Sequence, residues 1–420
     1  MTIEDKTSSR TMPARMIKSA LAALCAMAAF LLAPAQPALA DTLIDNVNGV
    51  TIDEEGAVSR FTGLVFDTDG RIVRVLRGNQ KRPKKVDYRI DGQGRTMLPG
   101  IIDSHISLIE TALGLIGPSP ASNAADRPPP RAEDMDVALQ KTQRWLAARG
   151  VTTVADMGTR IEHWQAYRRA GDAGTLYLRI ATYAAGGSEM ALIGGPGPSP
   201  WLYDDRLKMN GLALESASAG GSTLDDTRLR NVMSRAAIDG FQVAALAKSA
   251  AAIEQFAGAV GELSQTYTGD RRWRLQLPQM LYPADVAQLS QLGVLVTGDG
   301  TLLAQPLASA DALRISWADR QAGQLPEPFA ALAAVPLRQR PQALAALGAN
   351  GAYAIHAEGR FGRLVPGERA DFILVDRDPL TVTGPELAAT QILETWIDGK
   401  KIHEQGLELR QKHGAAMPGW

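Results

Sequence analysis

Between residues 98 and 317, short apolar β-type runs alternate with helix-type stretches, which calls for βα units wound around a parallel sheet. Eight such runs can be read: Leu98–His105, Val151–Met157, Leu176–Tyr183, Leu207–Leu214, Phe241–Ala247, Trp273–Pro278, Val294–Thr297 and Ala312–Trp317. Helical periodicity fills Glu133–Arg149, Thr227–Asp239 and Ala251–Leu263, and Gly150, Gly240 and Gly293 stand where a helix ends before the next strand. Eight units of this kind close into a (β/α)8 TIM-like barrel. The stretch from Leu302 to Pro328 carries little helical period, so the last units are the thinnest part of the pattern. Two Pro/Gly-rich segments, Gly117–Arg131 and Gly186–Pro200, follow barrel strands, where long loops cover the active face.

Both ends of this pattern read differently. Residues 41–97 hold short alternating runs broken by turns such as Asp67-Thr68-Asp69-Gly70, and Ala370–Asp376 with Thr395–Ile402 repeat the style near the other end. Neither piece is long enough to bury a good core alone, so the two are expected to pack together. The fold class is therefore α/β: a barrel over 98–358 and a small composite β-sandwich domain from 41–97 and 359–408, followed by a tail at 409–420.

Residues 1–40 read as a cleaved export signal. Arg10, Arg15 and Lys18 precede an uncharged run from Ser19 to Ala33, and Ala38-Leu39-Ala40 forms a small-x-small cleavage site, so a periplasmic or secreted location is expected. That run is shorter than the roughly 20 residues a membrane-crossing helix needs. The single cysteine, Cys25, lies within it, which leaves the mature chain without disulfides or thiolate ligands. Lys and Arg total 44 against 45 Asp and Glu without long one-sign blocks, so the expected partner is a small molecule and not a nucleic acid.

The segment Asp91-Gly92-Gln93-Gly94-Arg95-Thr96-Met97-Leu98-Pro99-Gly100-Ile101-Ile102-Asp103-Ser104-His105 resembles the strand that enters the active site of the amidohydrolase superfamily, metal-dependent hydrolases that mostly cleave C–N bonds. Gly150–Gly158 is similar to that family's second barrel strand, and Gly362–Asp376 to its return into the small β domain. Asp378-Pro379-Leu380-Thr381-Val382 points to the branch with exoenzyme-regulatory and N-substituted formamide deformylase-like members. The resemblance implies a metal-binding barrel with a β-sandwich built from both termini.

Its ligand positions are altered. Two imidazoles two residues apart on a strand face the same side and can share a metal, but this strand reads His105-Ile106-Ser107, so His105 is a remnant ligand and Ser107 a poor one. The resemblance places Leu246 where the branch has its fifth-strand His. The sixth-strand Arg-Ile-Glu-His becomes Arg274-Leu275-Gln276-Leu277, which puts Leu277 in place of another imidazole. Asp319 falls on the family's ligand and proton-shuttle Asp, and Lys208 on a branch Lys that can be carboxylated to bridge two metals. A hydrolytic zinc site uses three protein ligands and a water, so no tightly bound divalent metal is expected.

Two functional expectations follow. One is a non-catalytic homologue whose barrel mouth binds a small molecule or partner. The other is an active hydrolase of amide, formamide or cyclic amide C–N bonds with one weak zinc or none, in which His105 is the ligand, Lys208 an electrostatic stabiliser and Asp319 the general base. Set against these roles are plain structural ones: a hydrogen-bonded relic imidazole for His105, a helix cap for Asp319, and pairing of Lys208 with Asp156 or Glu215. Asp299 reads as a turn residue, and His163, at a helix start, as solvated.

Overall fold

The computed structural model describes residues 42–116, 130–216, 225–277, 281–305, 313–319 and 325–406. Residues 1–40, read as an export signal, and the 409–420 tail lie outside the described residues, as does nearly all of the Gly117–Arg131 segment. Among the described residues no helix is long and apolar enough to cross a membrane.

The barrel strands are β6 (Ile101–Ile106), β7 (Val151–Thr159), β8 (Arg179–Ala184), β9 (Leu207–Ser216), β10 (Gln242–Ala247), β11 (Arg274–Gln276), β12 (Leu295–Gly298) and β13 (Ile315–Trp317). Each pairs in parallel with the next, and β13 returns beside β6, which leaves the barrel nearly closed. Gly150, Gly240 and Gly293 take φ of +78°, +78° and +64°. That left-handed turn releases each helix into its strand at little steric cost to glycine. Gly186–Pro200, read as a loop, contains the helix Gly187–Gly194.

A second, eight-stranded sheet is formed by β1 (Thr42–Ile52), β2 (Val58–Phe66), β3 (Ile72–Leu76), β4 (Tyr88–Asp91), β5 (Thr96–Pro99), β14 (Phe372–Val375), β15 (Ile392–Ile397) and β16 (Lys400–Glu404). Its order is β16-β15-β14-β5-β1-β2-β3, with β4 also pairing with β1. The two chain ends meet where β14 runs antiparallel to β5. Phe372 stacks on Trp396 and meets Phe66 at a tilt within the sheet's own apolar cluster.

The run read as one strand over Leu98–His105 is divided between the two sheets. Its first part, β5, bonds to β14 and β1, and the chain crosses at Gly100 to open the barrel as β6. A Cβ on Gly100 would overlap the side chain of Thr152, so the crossing needs glycine. Beneath the barrel, Ala352, Ile355, Ala357 and Phe361 pack against Ile102, Ala155 and Ala181 and plug the end at which the strands begin.

Candidate functional site

The C-terminal strand ends surround a cavity of about 490 Å³, within the range of small-molecule pockets. His105, Ser107, Glu110 and Arg160 give it polar lining, and Met157, Ala213, Ala244 and Leu246 are among its apolar wall. His105 is half-buried at the end of β6, and its backbone N–H donates to Asp103 Oδ1 at 3.0 Å. Burial drives the Asp103 carboxyl well above the ordinary range; the His105 N–H opposes this, and the charge of Asp319 adds to it.

Beyond β6 the Ser107 hydroxyl donates to the Met157 carbonyl at 3.1 Å, which ties the start of the next helix to β7. Asp156 completes the join. Its Oδ1 accepts the Leu108 N–H at 2.8 Å, at the first turn of the helix Leu108–Ile116, and its Oδ2 accepts Thr159 Oγ1 at 2.6 Å and Tyr167 OH at 2.9 Å. Asp156 is thus a fully engaged cap for a neighbouring unit and not a partner of Lys208.

His163 is 6% exposed, which overturns the solvated reading. The helix Ile161–Asp172 turns His163, Trp164, Ala166 and Tyr167 inward, one face at helical spacing, so the imidazole is buried with its neighbours. Its Nε2 lies 3.6 Å from Glu110 Oε1 at the mouth. Burial raises the Glu110 carboxyl, and His163 counteracts part of that rise.

Of the residues singled out from sequence, Lys208 stands apart from the others, while Asp319 shares the strand-end face with His105. Lys208 sits at the N-terminal end of β9, the opposite end of the barrel from His105. Its ammonium lies 5.9 Å from the Trp201 ring and is pushed down to about 8 by burial and by the charges of Arg360 and Arg272. Asp319, just past β13, accepts the Glu327 N–H at 2.9 Å and braces the entry to the helix Pro328–Leu332. Asp299 caps the helix Gly300–Ala304 by accepting the Thr301 and Leu302 N–H groups.

Leu246 is buried and lines the cavity, as a fifth-strand ligand position would. Leu277 does not. Side chains alternate along a strand, and Leu275 and Leu277 join the apolar layer between barrel and helices, while Arg274 and Gln276 turn inward. Register makes this explicit, since Ala244 pairs with Arg274 and Leu246 with Gln276, and both Ala244 and Leu246 line the cavity.

Arg274 and Gln276 are the residues that sequence reading passed over. Arg274 is 1% exposed, its guanidinium carbon is 4.6 Å from the Tyr183 ring centre, and one of its nitrogens reaches Met157 Sδ at 3.6 Å. The Tyr183 hydroxyl bonds to Gln242 and accepts from Asn210 Nδ2 at 2.7 Å, which fixes the ring on which the guanidinium rests. The available signal was the alternation in Arg274-Leu275-Gln276-Leu277, where polar residues at every second position of a buried strand mark its inward face.

These groups do not fit a divalent metal. Among the described residues no three His, Cys, Asp or Glu side chains gather closely enough to hold an ion. On the inward face the place of further ligands is taken by a hydroxyl already donating to a carbonyl, by leucine, and by a buried guanidinium that would repel a metal cation at low dielectric.

Comparison with known proteins adds to this geometry. Residues 306–403 match the model of the Amidohydrolase family. An imidazolonepropionase from Stenotrophomonas maltophilia is 42% identical over 69 residues, a match spanning 16% of this chain and only 17% of that protein's length. An uncharacterized metal-dependent hydrolase from Pyrococcus furiosus superposes with a TM-score of 0.65 at 15% identity, over 81% of this chain and 100% of the other. An adenosine deaminase from Xanthomonas campestris with bound zinc gives 0.63 at 17%, over 88% and 94%. An N-isopropylammelide isopropylaminohydrolase from Burkholderia multivorans gives 0.63 at 17%, over 87% and 98%. The chain therefore has the barrel-plus-β-domain fold of metal-dependent hydrolases and carries an amidohydrolase-family segment at residues 306–403.

Proposed function

We propose that this protein binds a small molecule in the barrel-mouth cavity and does so without a tightly held divalent metal, as a non-catalytic relative of C–N hydrolases. One observation carries the reading: around a cavity of ligand size, the inward positions beside His105 are occupied by Ser107, Leu246 and the Arg274 guanidinium. An apolar wall with a few polar groups suits ligand capture. It does not suit activation of a water, which needs an open position on a cation held by several ligands. Residues 1–40 would deliver the chain across a membrane, a reading that rests on the basic, apolar and small-residue pattern alone.

The deciding experiment is elemental mass spectrometry of the protein made with zinc and manganese available and purified without chelator. Less than about a tenth of an equivalent of metal is expected. One or two equivalents that disappear in His105→Ala would overturn the reading in favour of a hydrolase acting on C–N bonds with a reduced site.

A further inference from the structure

Deep in the barrel, beside the cavity, lie polar atoms without a hydrogen-bond partner among the described residues. Gln276 is 4% exposed, and both its amide oxygen and its amide nitrogen are among them. One terminal nitrogen of Arg274 is equally bare, and the other terminal nitrogen has only the Met157 sulfur, a weak acceptor. Asp103 helps only through its charge, which favours the Arg274 cation: one carboxylate oxygen takes the His105 N–H, the other is unpartnered, and among the described residues no salt bridge joins it to Arg274. A buried cation without a salt-bridge partner among the described residues, two residues from a buried amide with both ends open, is expensive to maintain for stability alone.

Their position suggests what completes them. Both side chains project on the face shared with Ala244 and Leu246, which line the cavity, and the Arg274 donor is covered by Met157, which lines it too. Met157 is unbranched and adaptable, so a ligand group can take the place of its sulfur against the guanidinium. We propose that the ligand of this cavity is a carboxylate-bearing small molecule whose carboxylate is held by the guanidinium of Arg274 and the amide of Gln276. The planar donor fork of arginine matches a planar carboxylate in two-point contact, the Gln276 N–H adds a third donor, and Tyr183 holds the fork at a fixed height. The remainder of the ligand would fill the apolar space between Leu246 and Ala213.

This inference rests on the pocket reading above and is tested so that the two can fail separately. A panel of small mono- and dicarboxylates, each beside its neutral primary amide, with inorganic phosphate included, is titrated into the full protein by calorimetry. At least one carboxylate is expected to bind about tenfold or more tightly than its amide, as a charge-assisted contact provides. Arg274→Met should abolish that preference, and Gln276→Leu, which removes only unpaired polar atoms, should reduce it about fivefold. Should Arg274→Met fail to fold, Gln276→Leu decides. Equal binding of each pair, a preference that survives these changes, or tighter binding of phosphate than of any carboxylate would overturn the carboxylate assignment while the pocket reading stands. Binding of neither member of any pair would overturn both.

Discussion

Replacing Arg179 with methionine is expected to cost about 3–5 kcal/mol of folding stability at neutral pH, the penalty for leaving a buried charge without its partner. Arg179 opens β8 and is fully buried. Its Nε and one terminal nitrogen grip Asp371 at 2.6 and 2.8 Å, and the latter nitrogen also reaches Asp398 at 2.5 Å. The other terminal nitrogen donates to the carbonyls of Asp204 and Asp205 at 3.2 and 3.0 Å, and Phe361 lies under the guanidinium. Asp371 precedes β14 and Asp398 sits in the turn between β15 and β16, so one side chain fastens the barrel to the sheet.

The two carboxylates would suffer unequally. Asp398 keeps Arg206 at 2.6 Å, whereas Asp371 would keep only the Asp398 N–H at 2.9 Å. Methionine conserves much of the buried volume, so the loss is assigned to the Asp371 charge and not to a cavity. Burial pushes the Asp371 carboxyl up, but the charge and hydrogen bonds of Arg179 outweigh it, and the group rests below its ordinary value. A carboxylate depressed on folding contributes stability that is present above its unfolded pKa of about 3.9 and is lost as pH falls through the folded value. In Arg179→Met that contribution vanishes and burial alone raises Asp371. The gap between wild type and variant should therefore be widest near pH 7 and narrow toward acid. Urea unfolding followed by circular dichroism between pH 7 and pH 3 measures it. A loss under about 1 kcal/mol at pH 7, or a gap that widens in acid, would refute the argument.

Gly100→Ala should lower stability by about 1–3 kcal/mol, because its Cβ meets Thr152 at the crossing between the two sheets; a thermal melt checks this, and Thr152→Ala in the same chain should restore part of the loss. Asp156→Ala strands the Leu108 N–H and the buried Tyr167 hydroxyl and leaves the Thr159 hydroxyl only the carbonyl of residue 156, and about 2–4 kcal/mol should be lost with faster amide exchange across Leu108–Ile116. Lys208, held near 8 where the unfolded chain has about 10.5, disfavours the folded state below that window, so stability should rise between pH 8 and pH 10 by an amount that Lys208→Met removes; an unchanged pH slope in the variant would count against it. Restoring imidazoles with Ser107→His and Leu246→His should not bring in zinc while Arg274 is present, and metal should appear only when Arg274→Ala is added; zinc in the double variant would show that the guanidinium does not exclude it.

The barrel was legible because its signals are local. Apolar runs of strand length, helices such as Ala250–Leu263 and the left-handed glycines after them depend on each stretch's own residues. Asp299, read as a turn residue, instead caps the helix Gly300–Ala304, whose helical period the sequence hardly shows. The division of Leu98–His105 at Gly100 was not legible, since both halves are equally apolar and only their partners differ, β14 and β1 on one side and β7 on the other.

The site divides along the same line. That His105 ends a strand can be read from residue order, and the reading of Ser107 and Leu246 as altered ligand positions comes from the family resemblance. Which end of β9 carries Lys208, and that Leu277 faces the helices while Arg274 and Gln276 face the cavity, depend on the barrel's register. The burial of His163 depends on what its helix packs against. Arg179 and Asp371 are 192 residues apart, and no pattern in the chain marks them as a pair. Sequence determines the elements because backbone preference and apolar periodicity act over a few residues. Tertiary structure decides the site because charge pairing and the burial of Arg274 against Tyr183 and Met157 arise only when distant strands are brought side by side.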